Sequence, residues 1–301
     1  MSGGAERWLL IGALVLLWGS GPAMNRVAIE TIPPLVVVGV RLAIAAMMLL
    51  AVVRARRLTV PTSRAHLAYF VIAGLLGNAL AFSLVTWGQL RVPSGVAVIC
   101  FSTIPLATLV LAHYFVPGER MTGGRVIGFL VGFAGVLALA GPELLQRDGG
   151  ITGGSPLHLL AVIGGPLGWA INAILARRRP PCSGMIAAAG AVLLGAVFTA
   201  PLAIAGIVAG GFDPSLRSMI AVVAVALFAT ALPTVIFYRL IDLAGVAFAS
   251  LMNYLIPLWG VALSVSVMQE ALPANAFLAL ALVLAGVAVA ERLHKKPESG
   301  R

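Results

Sequence analysis

The chain has 301 residues, of which 60% are hydrophobic and only 10% are charged, and its mean hydropathy is +1.05. Soluble globular domains carry roughly a quarter charged residues, so this composition excludes an ordinary soluble protein and indicates an integral membrane protein. The net charge of +10 would suggest a nucleic-acid partner in a soluble chain, but in a membrane protein it reflects topology instead.

Ten apolar runs are each long enough to cross a hydrocarbon core of roughly 30 Å, which takes about 20 residues. The first run follows Arg7 and resembles a signal peptide, but it is long, GSGPA is a poor cleavage site and nine similar runs follow. The runs cover residues 8–27, 33–53, 67–88, 95–116, 124–141, 157–176, 184–209, 217–238, 246–267 and 274–290. We therefore predict an all-α membrane protein with ten transmembrane helices.

Proline interrupts the fourth run at Pro105 and the ninth run at Pro257. A proline in a helix interior removes one backbone hydrogen bond and costs about 3 kcal/mol. In a membrane this is tolerated where neighbouring helices or a water-filled cavity satisfy the freed carbonyl. Two broken helices in corresponding positions are typical of the substrate path of a transporter, so we predict that both prolines break their helices there.

The connection between the fifth and sixth runs, GPELLQRDGGITGGSP, is rich in glycine and polar residues and lies at the middle of the chain. We interpret it as a linker between two halves. The predicted organisation is a first five-helix repeat over 1–141, a linker loop over 142–156, a second repeat over 157–290 and a cytoplasmic tail over 291–301.

A shift of 151 residues aligns the two halves, since it places Trp18 on Trp169 and Glu119 on Glu270. The same shift places AGV at 134–136 on AGV at 285–287, and the two prolines agree to within one residue. Five helices per copy is an odd number, so the copies enter the membrane in opposite senses. An inverted repeat of this kind predicts a substrate site near the midplane between the halves.

Lysine and arginine residues set the orientation, because cytoplasmic loops are enriched in them. With the N-terminus in the cytoplasm, fifteen of them fall inside and four outside, while Arg41 lies within the second run. We therefore predict cytoplasmic N- and C-termini in a multi-pass protein of the cell inner membrane.

Several stretches of both halves carry a family resemblance. In the first half they are LLWGSGPAMNR, ALAFSLVTWGQLRVPSGVAVICFSTIPL and GERMTGGRVIGFLVGFAGV, and in the second ATALPTVIFYRLIDLAGVAFASLMNYLIPLW and QEALPANAFLALALVLAGV. Over about residues 8 to 290 the chain resembles the EamA-type proteins of the drug/metabolite transporter superfamily. The resemblance implies ten transmembrane helices and export of small metabolites, most often amino acids, and bacterial (aromatic) amino-acid exporters are the most similar group.

The chain departs from the aromatic exporters just before the proline of the fourth run. Members of that group often carry bulky aromatic side chains there, where this chain has Ser102, Thr103 and Ile104. This departure favours a broad substrate range over a strict aromatic preference.

Arg41 lies about seven residues inside the second run, which is about 10 Å below the membrane surface at a rise of 1.5 Å per residue. A charge at the bilayer centre costs at least about 2.5 kcal/mol, so such residues usually face a cavity or a partner. One interpretation is that Arg41, helped by Arg26, binds the carboxylate of the substrate. The alternative is that it extends to the membrane surface or bonds to helix-end carbonyls.

Uncharged polar side chains at mid-helix depth form a second candidate set. An amino acid needs acceptors for its ammonium group and donors for its carboxylate, and these side chains supply both. Interhelical hydrogen bonds, worth about 0.6 kcal/mol each, are the alternative role. Ser102 and Tyr254 stand out because each precedes its proline by three residues, and Asn253 adjoins Tyr254. The set is Asn78, Ser102, Thr103, Asn172, Thr230, Thr234, Asn253 and Tyr254.

Trp18 and Trp169 are the aromatic candidates, because they lie in mid-helix rather than at the membrane interface where tryptophan is enriched. They either line the cavity and stack on a substrate side chain or fill space between helices, and the family resemblance favours the cavity for Trp169.

Two further groups have a structural interpretation. Gly124, Gly128 and Gly132 recur at every fourth position, which predicts a face for close helix packing. Glu119 and Glu270 each lie one turn before a helix start, where a carboxylate favours the positive helix end, so we predict caps rather than catalytic groups.

Absent motifs exclude other classes of function. All ten acidic residues lie in loops or at helix ends, so a metal-dependent membrane enzyme lacks clustered carboxylates and a proton pump lacks its relay. No GxxxxGK[ST] loop is present, and two cysteines supply neither a disulfide framework nor a cysteine-rich metal site. We expect no enzyme activity, metal or cofactor.

The sequence therefore predicts a monomeric exporter of amino acids or related small metabolites that works by alternating access in the lipid bilayer and binds no nucleic acid. The missing carboxylates favour uniport with broad specificity. The alternative is another cargo, such as sugar phosphates, nucleotide-sugars or drugs, with transport coupled to protons.

Overall fold

The computed structural model of the protein describes residues 3–119, 121–145 and 156–292. Two π-helical segments, Leu75–Leu80 and Leu227–Ala231, interrupt two of the long helical stretches. The α-helices of the described residues are α1 (Gly3–Gly19), α2 (Gly21–Ala28), α3 (Pro34–Ala55), α4 (Arg64–Gly74), α5 (Ala81–Gly88), α6 (Ser94–Phe101), α7 (Ile104–Phe115), α8 (Gly123–Leu145), α9 (Pro156–Arg177), α10 (Gly184–Ala209), α11 (Leu216–Ala226), α12 (Leu232–Ala249), α13 (Met252–Ser266) and α14 (Ala274–Arg292).

Eight helical stretches of the described residues are long and apolar enough to cross a membrane. They are Gly4–Ala28, Pro34–Ala55, Arg64–Gly88, Ser94–Phe115, Gly123–Gly141, Pro156–Arg177, Gly184–Ala209 and Leu216–Gly245, and the shorter apolar helices are Met252–Ser266 and Ala274–Ala290. The prediction of an all-α membrane protein is thus confirmed, and these ten stretches fall on the ten apolar runs of the sequence.

The fourth run breaks just before Pro105. α6 ends at Phe101 and α7 begins at Ile104, so Pro105 occupies the first turn of α7, where its missing N–H leaves no intrahelical bond unmade. The backbone N–H groups of Ser102 and Thr103 donate to carbonyls three residues earlier, which tightens the chain at the break.

The ninth run behaves differently, because Pro257 lies inside α13 and the helix continues through it. The interruption falls earlier, at Ser250 and Leu251, and Gly245 adds a kink with φ 78° and ψ 167°. The predicted break at Pro257 is therefore wrong in position. A proline removes only one hydrogen bond, whereas the backbone at Gly245 leaves the helical region altogether.

Helices of the two halves pack against each other in corresponding pairs. α3 packs on α10, α6 on α13, and α8 on α14, while α1 packs on α12 and α13. The second, fourth and fifth apolar runs thus each contact the run that lies 151 residues later in the chain. This pairing positions the residues of both halves around a common centre.

Glycine permits a close contact between α8 and α14. A Cβ atom placed on Gly286 would lie 2.5 Å from the carbonyl oxygen of Gly128 and 2.7 Å from the Cα of Gly132. The predicted packing face is confirmed at Gly128 and Gly132, because neither helix could approach this closely with a larger residue.

Ion pairs between described residues each join two side chains that the topology predicts on the same side. Arg177 and Arg125 pair with Glu119 at the end of the bundle that we call the Glu119 end. At the opposite end, the Glu270 end, Arg217 pairs with Glu30.

The predicted linker lies mostly outside the described residues. α8 continues past 141 to Leu145, and α9 begins at Pro156. Residues 146–155 and the part of the predicted tail after 292 are not described.

Candidate functional site

Arg41 lies in the interior of the bundle on α3, with 6% of its surface exposed. Its Nε donates to the hydroxyl of Thr230 at 2.7 Å, and a terminal nitrogen donates to the carbonyl of Ala229 at 3.4 Å. The guanidinium carbon lies 3.9 Å from the centre of the Phe82 ring. Within the described part of the chain, no carboxylate lies within ion-pair distance of this buried cation.

Aromatic rings extend from Arg41 towards the broken fourth run. Phe82 contacts Trp169 edge-on at 5.3 Å between ring centres, and Trp169 contacts Phe101 at 4.8 Å with the rings perpendicular. Trp169 belongs to α9 and Phe101 is the last residue of α6, so the array joins both halves. We call Arg41, Phe82, Phe101, Trp169 and Thr230 the central cluster.

Two polar atoms beside the central cluster are buried without a hydrogen-bond partner among the described residues: Oγ of Ser102 and Oδ1 of Asn172. Ser102 directly follows Phe101, and Asn172 lies one helical turn after Trp169 on the same face of α9. A buried polar group without a partner costs free energy, and both atoms can accept hydrogen bonds. This is the arrangement expected where a ligand supplies the missing donors.

The two π-helices place a polar side chain at equivalent positions of the two halves. Nδ2 of Asn78 donates to the carbonyl of Ala73 at 3.2 Å, and the hydroxyl of Thr230 donates to that of Val225 at 3.1 Å. Each side chain thereby bonds to a carbonyl five residues earlier, in the widened turn that such segments create. π-helical turns are frequent at functional sites.

Nδ2 of Asn78 therefore has an intrahelical partner, whereas Oδ1 of Asn172 has none among the described residues. Asn78 also packs tightly on α10, since a Cβ on Gly195 would lie 2.7 Å from the Cβ of Asn78. A Cβ on the neighbouring Gly77 would lie 2.7 Å from Asn172, so the first π-helix is pressed against α9 next to the unpartnered amide.

Three predicted site residues make their contacts elsewhere. Trp18 pairs with Phe237 at 5.4 Å and packs into the hydrophobic core between α1, α12 and α13. Asn253 and Tyr254 lie half-buried in the first turn of α13, and Tyr254 packs against the core formed by α7, α8 and α14. Ring contacts thus connect Arg41 to Trp169 through Phe82. Ser102 and Asn172 adjoin this array along their helices, whereas Asn78 bonds within its own helix.

Sequence reasoning did not select Phe82 and Phe101, which connect Arg41 to the other site residues. Phe82 lies one turn after Asn78, and Phe101 directly precedes Ser102. Proximity to these two polar residues is the sequence feature that indicates both phenylalanines as site residues. Arg26 is not part of the centre, because its guanidinium donates to the carbonyls of Gln89 and Leu90 at the Glu270 end.

Glu119 pairs with Arg177 at 2.7 Å and with Arg125 at 3.3 Å. It was predicted to cap the helix that follows it, but the first-turn amide of Arg125 donates instead to the hydroxyl of Thr122. Partial burial alone would raise the pKa of the Glu119 carboxyl, but the hydrogen bonds and charges of the two arginines outweigh it and hold the pKa below its usual 4.5.

We expect Glu119→Gln to lower the melting temperature in detergent at pH 7 by about 2 °C, because Glu119 and Arg177 are partly exposed and ion pairs that solvent reaches contribute little. Since the folded state lowers the pKa of this carboxyl, the stabilisation is complete above the usual value of 4.5 and is lost as the pH falls through the lowered pKa. Melting curves of the wild type and Glu119→Gln between pH 7 and pH 3 measure this stabilisation. The difference between the two melting temperatures should shrink as the pH falls, and a difference that grows contradicts the expectation.

A cavity of about 350 Å³ opens beside this ion pair at the Glu119 end. Its lining combines aromatic, basic and acidic side chains with the short turn after α7, and includes His113, Tyr114, Phe115, Glu119 and Arg178.

Comparison with known proteins identifies the same pattern in both halves. Residues 7–141 and 156–291 each match the model of the EamA-like transporter family. The uncharacterized inner membrane transporter YedA of Escherichia coli K12 is 31% identical over 279 residues, which cover 91% of this chain and 87% of that protein. The uncharacterized transporter YvbV of Bacillus subtilis is 26% identical, with coverage of 93% and 89%.

One relative carries a name that states a cargo. The probable terminal-alkyne amino-acid exporter of Streptantibioticus cattleyicolor is 28% identical over 294 residues, which cover 95% of this chain and 93% of that protein. A solved crystal structure superposes with a TM-score of 0.66 at 21% identity over 97% of this chain and 99% of that chain, which shows a shared fold.

Proposed function

Because the chain belongs to the EamA-like transporter family and is a membrane transporter, we propose that it exports amino acids or related small metabolites by alternating access. The observation that carries this proposal is the buried Arg41, which has no acidic partner in the described part of the chain. A buried cation of this kind is costly unless an anion reaches it, and a guanidinium pairs well with a carboxylate.

The unpartnered atoms beside the central cluster suit the other end of the same substrate. Oγ of Ser102 and Oδ1 of Asn172 can both accept a hydrogen bond, and an ammonium group offers three donors. Between them, Phe82, Phe101 and Trp169 form an apolar wall for a side chain. An amino acid suits all of these groups, because its carboxylate can pair with Arg41, its ammonium group with the two acceptors and its side chain with the apolar wall. The name of the Streptantibioticus relative points to the same cargo class.

Phosphorylated cargo and cationic drugs fit this centre less well. A sugar phosphate or nucleotide-sugar needs several basic side chains, whereas the central cluster contains Arg41 as its single cation. A cationic drug needs a buried acid, and the central cluster contains none.

The proposed topology has ten membrane crossings in two five-helix repeats of opposite orientation, with both termini in the cytoplasm of the cell inner membrane. The packing of corresponding runs on each other and the separation of the ion pairs between the two ends support it. Lysine and arginine enrichment makes the Glu119 end cytoplasmic. Transport is uniport by a monomer, because the central cluster contains no carboxylate to carry a proton, and Asp242 of α12 lies three residues before the kink at Gly245.

Uptake into proteoliposomes tests the proposal. Purified protein is screened with labelled amino acids, sugar phosphates and nucleotide-sugars, with and without an imposed pH gradient. We expect accumulation of amino acids with and without the gradient. Selective uptake of a phosphorylated cargo contradicts the amino-acid assignment, and strict dependence on the gradient contradicts uniport.

Ser102→Ala separates ligand binding from folding. Removing a buried hydroxyl that has no partner should leave the melting temperature unchanged or raise it, because a desolvation cost disappears. Amino-acid uptake should show a KM about 10-fold higher or more, because a hydrogen bond to the charged ammonium group is lost. Uptake and thermal melts of the same preparation measure both effects.

Ser218→Ala is the matched control, because Ser218 is equally buried but its hydroxyl donates to the carbonyl of Val27 at 2.9 Å. This variant should be less stable than the wild type, with an unchanged KM. An unchanged KM for Ser102→Ala would remove Ser102 from the binding site.

A further inference from the structure

Glu270 ties the end of the ninth run to the start of the fourth, 176 residues away in the chain. Its Oε1 accepts from the backbone N–H of Ser94 at 3.0 Å, and its Oε2 accepts from the N–H of Gly95 at 3.1 Å and the hydroxyl of Ser94 at 2.9 Å. The hydroxyl of Ser264 donates to the same oxygen. We call these four residues the Glu270 latch. Glu270 therefore caps α6, and not α14 as its position in the sequence predicted.

The Glu270 latch lies where α6 and α13 pack closely against each other. A Cβ on Gly95 would lie 2.6 Å from the Ser264 hydroxyl, and a Cβ on Gly260 would lie 2.6 Å from the side chain of Val98. α6 and α13 thus approach each other as only glycine allows. The side chains of α6 from Val96 to Cys100 are at most 1% exposed, so neighbouring helices enclose this part of α6.

The 151-residue repeat predicts the same latch at the other end. It places Glu119 on Glu270, and the Ser94–Gly95 pair on Gly245 and Val246. Gly245 interrupts α12 with φ 78°, and the helix resumes directly after it, which creates a helix start equivalent to that of α6. The second half therefore has a helix start at the position that a Glu119 latch requires.

The equivalent glutamate of the first half has other partners in this structure. Glu119 accepts hydrogen bonds from the side chains of Arg177 and Arg125, whereas Glu270 accepts from the backbone at the start of α6. The two glutamates are thus held in different ways.

We propose that Glu270 and Glu119 are alternating gate residues, each of which closes one end of the substrate path by capping the broken helix of the opposite half. This rests on the proposed function, since alternating access requires one closed end at a time. In this structure Glu270 caps α6, and Glu119 is held by its two arginines. In the opposite state Glu119 leaves its arginines and caps the helix that starts after Gly245, while Glu270 releases α6.

Cysteine labelling of purified protein in detergent tests the gate without knowledge of the substrate or the orientation. The reporter is Val98→Cys in a Cys100→Ala, Cys182→Ser background, because Val98 is sealed between α6 and α13 when the Glu270 latch is closed. Maleimide reacts with this thiol only when the Glu270 end opens. The rate is measured on the monodisperse fraction from size exclusion.

We expect Glu270→Gln to raise the labelling rate about tenfold, because the charge that strengthens the bonds to the helix start is lost. Glu119→Gln should change the rate less, because it removes the arginine pairs of this state as well as the cap of the opposite state. Glu30→Gln is the matched control, as its carboxylate pairs with Arg217 on the surface of the same end, and it should leave the rate unchanged.

Ser264→Ala provides a second variant that keeps the carboxylate and removes one donor to it, and it should raise the rate by a smaller factor. An unchanged rate in both Glu270→Gln and Ser264→Ala overturns the proposal, as does an equal increase in Glu119→Gln. Labelling needs no cargo, so it detects an alternating gate even if the uptake screen finds no amino-acid transport. The gate proposal and the amino-acid proposal can therefore be contradicted independently.

Discussion

Arg41→Ala should reduce amino-acid uptake by about 10- to 100-fold while leaving the fold intact. A charge-assisted hydrogen bond to a charged group contributes about 1.5–3 kcal/mol, which corresponds to this range. The melting temperature should stay the same or rise, because the variant removes a buried cation that has no acidic partner among the described residues. Proteoliposome uptake and detergent melts of the same preparation measure the two effects.

Two further variants sharpen this expectation. Arg41→Lys keeps the charge but loses the planar pair of donors, so its uptake should fall between those of the wild type and Arg41→Ala. Arg217→Ala removes an arginine whose partner Glu30 is on the surface, and uptake should not change. Normal uptake by Arg41→Ala would mean that the substrate carboxylate binds elsewhere.

Gly286→Val should lower the melting temperature in detergent by about 5 °C or more. The added Cβ would lie 2.5 Å from the backbone oxygen of Gly128 and from the backbone nitrogen of Gly132, and backbone atoms cannot rotate away as a side chain can. Overpacking of this kind costs about 1–3 kcal/mol and sometimes more, and for a chain of this size each kcal/mol corresponds to roughly 2–4 °C.

Gly12→Val is the matched control, because Gly12 is also a helix glycine but nothing lies within 4 Å of an added Cβ. Its melting temperature should be close to that of the wild type. Equal melting temperatures for the two variants would contradict the close contact of α8 and α14.

The helices could be predicted from the sequence because the requirement that creates them is local. A membrane-crossing segment must be apolar over about 20 residues, and this holds for each run without reference to its neighbours. Arg41 could be identified in the same way, since a charge inside an apolar run is visible in one segment. The glycine spacing that places Gly128 and Gly132 against α14 is likewise a property of one helix.

Features that depend on contacts between distant segments were predicted wrongly or missed. Glu270 precedes α14 in the chain but caps α6, because the fold brings the start of α6 to it. The break in the ninth run is set by Gly245, Ser250 and Leu251, whereas the proline was the more visible signal. The two π-helices have no composition signal that separates them from the flanking α-helical turns.

In the candidate site, too, the sequence identifies residues within one segment but not the contacts between segments. Ser102 and Asn172 were selected as polar residues at mid-helix depth, but only the structure distinguishes their unpartnered atoms from the intrahelical bond of Asn78. Trp18 and Trp169 are equivalent in the sequence repeat, yet only Trp169 lies in the central cluster, because Trp169 contacts Phe82 and Phe101 whereas Trp18 contacts Phe237 of α12.

The most direct test of the proposed binding centre is competition for amino-acid uptake by the amine that lacks only the carboxylate. Labelled amino acid is supplied to proteoliposomes with an excess of the unlabelled amino acid or of its decarboxylated amine. If the carboxylate binds Arg41, the unlabelled amino acid blocks uptake and the amine does not. Equal inhibition by the amine would contradict the assignment of Arg41 and of the substrate class that follows from it.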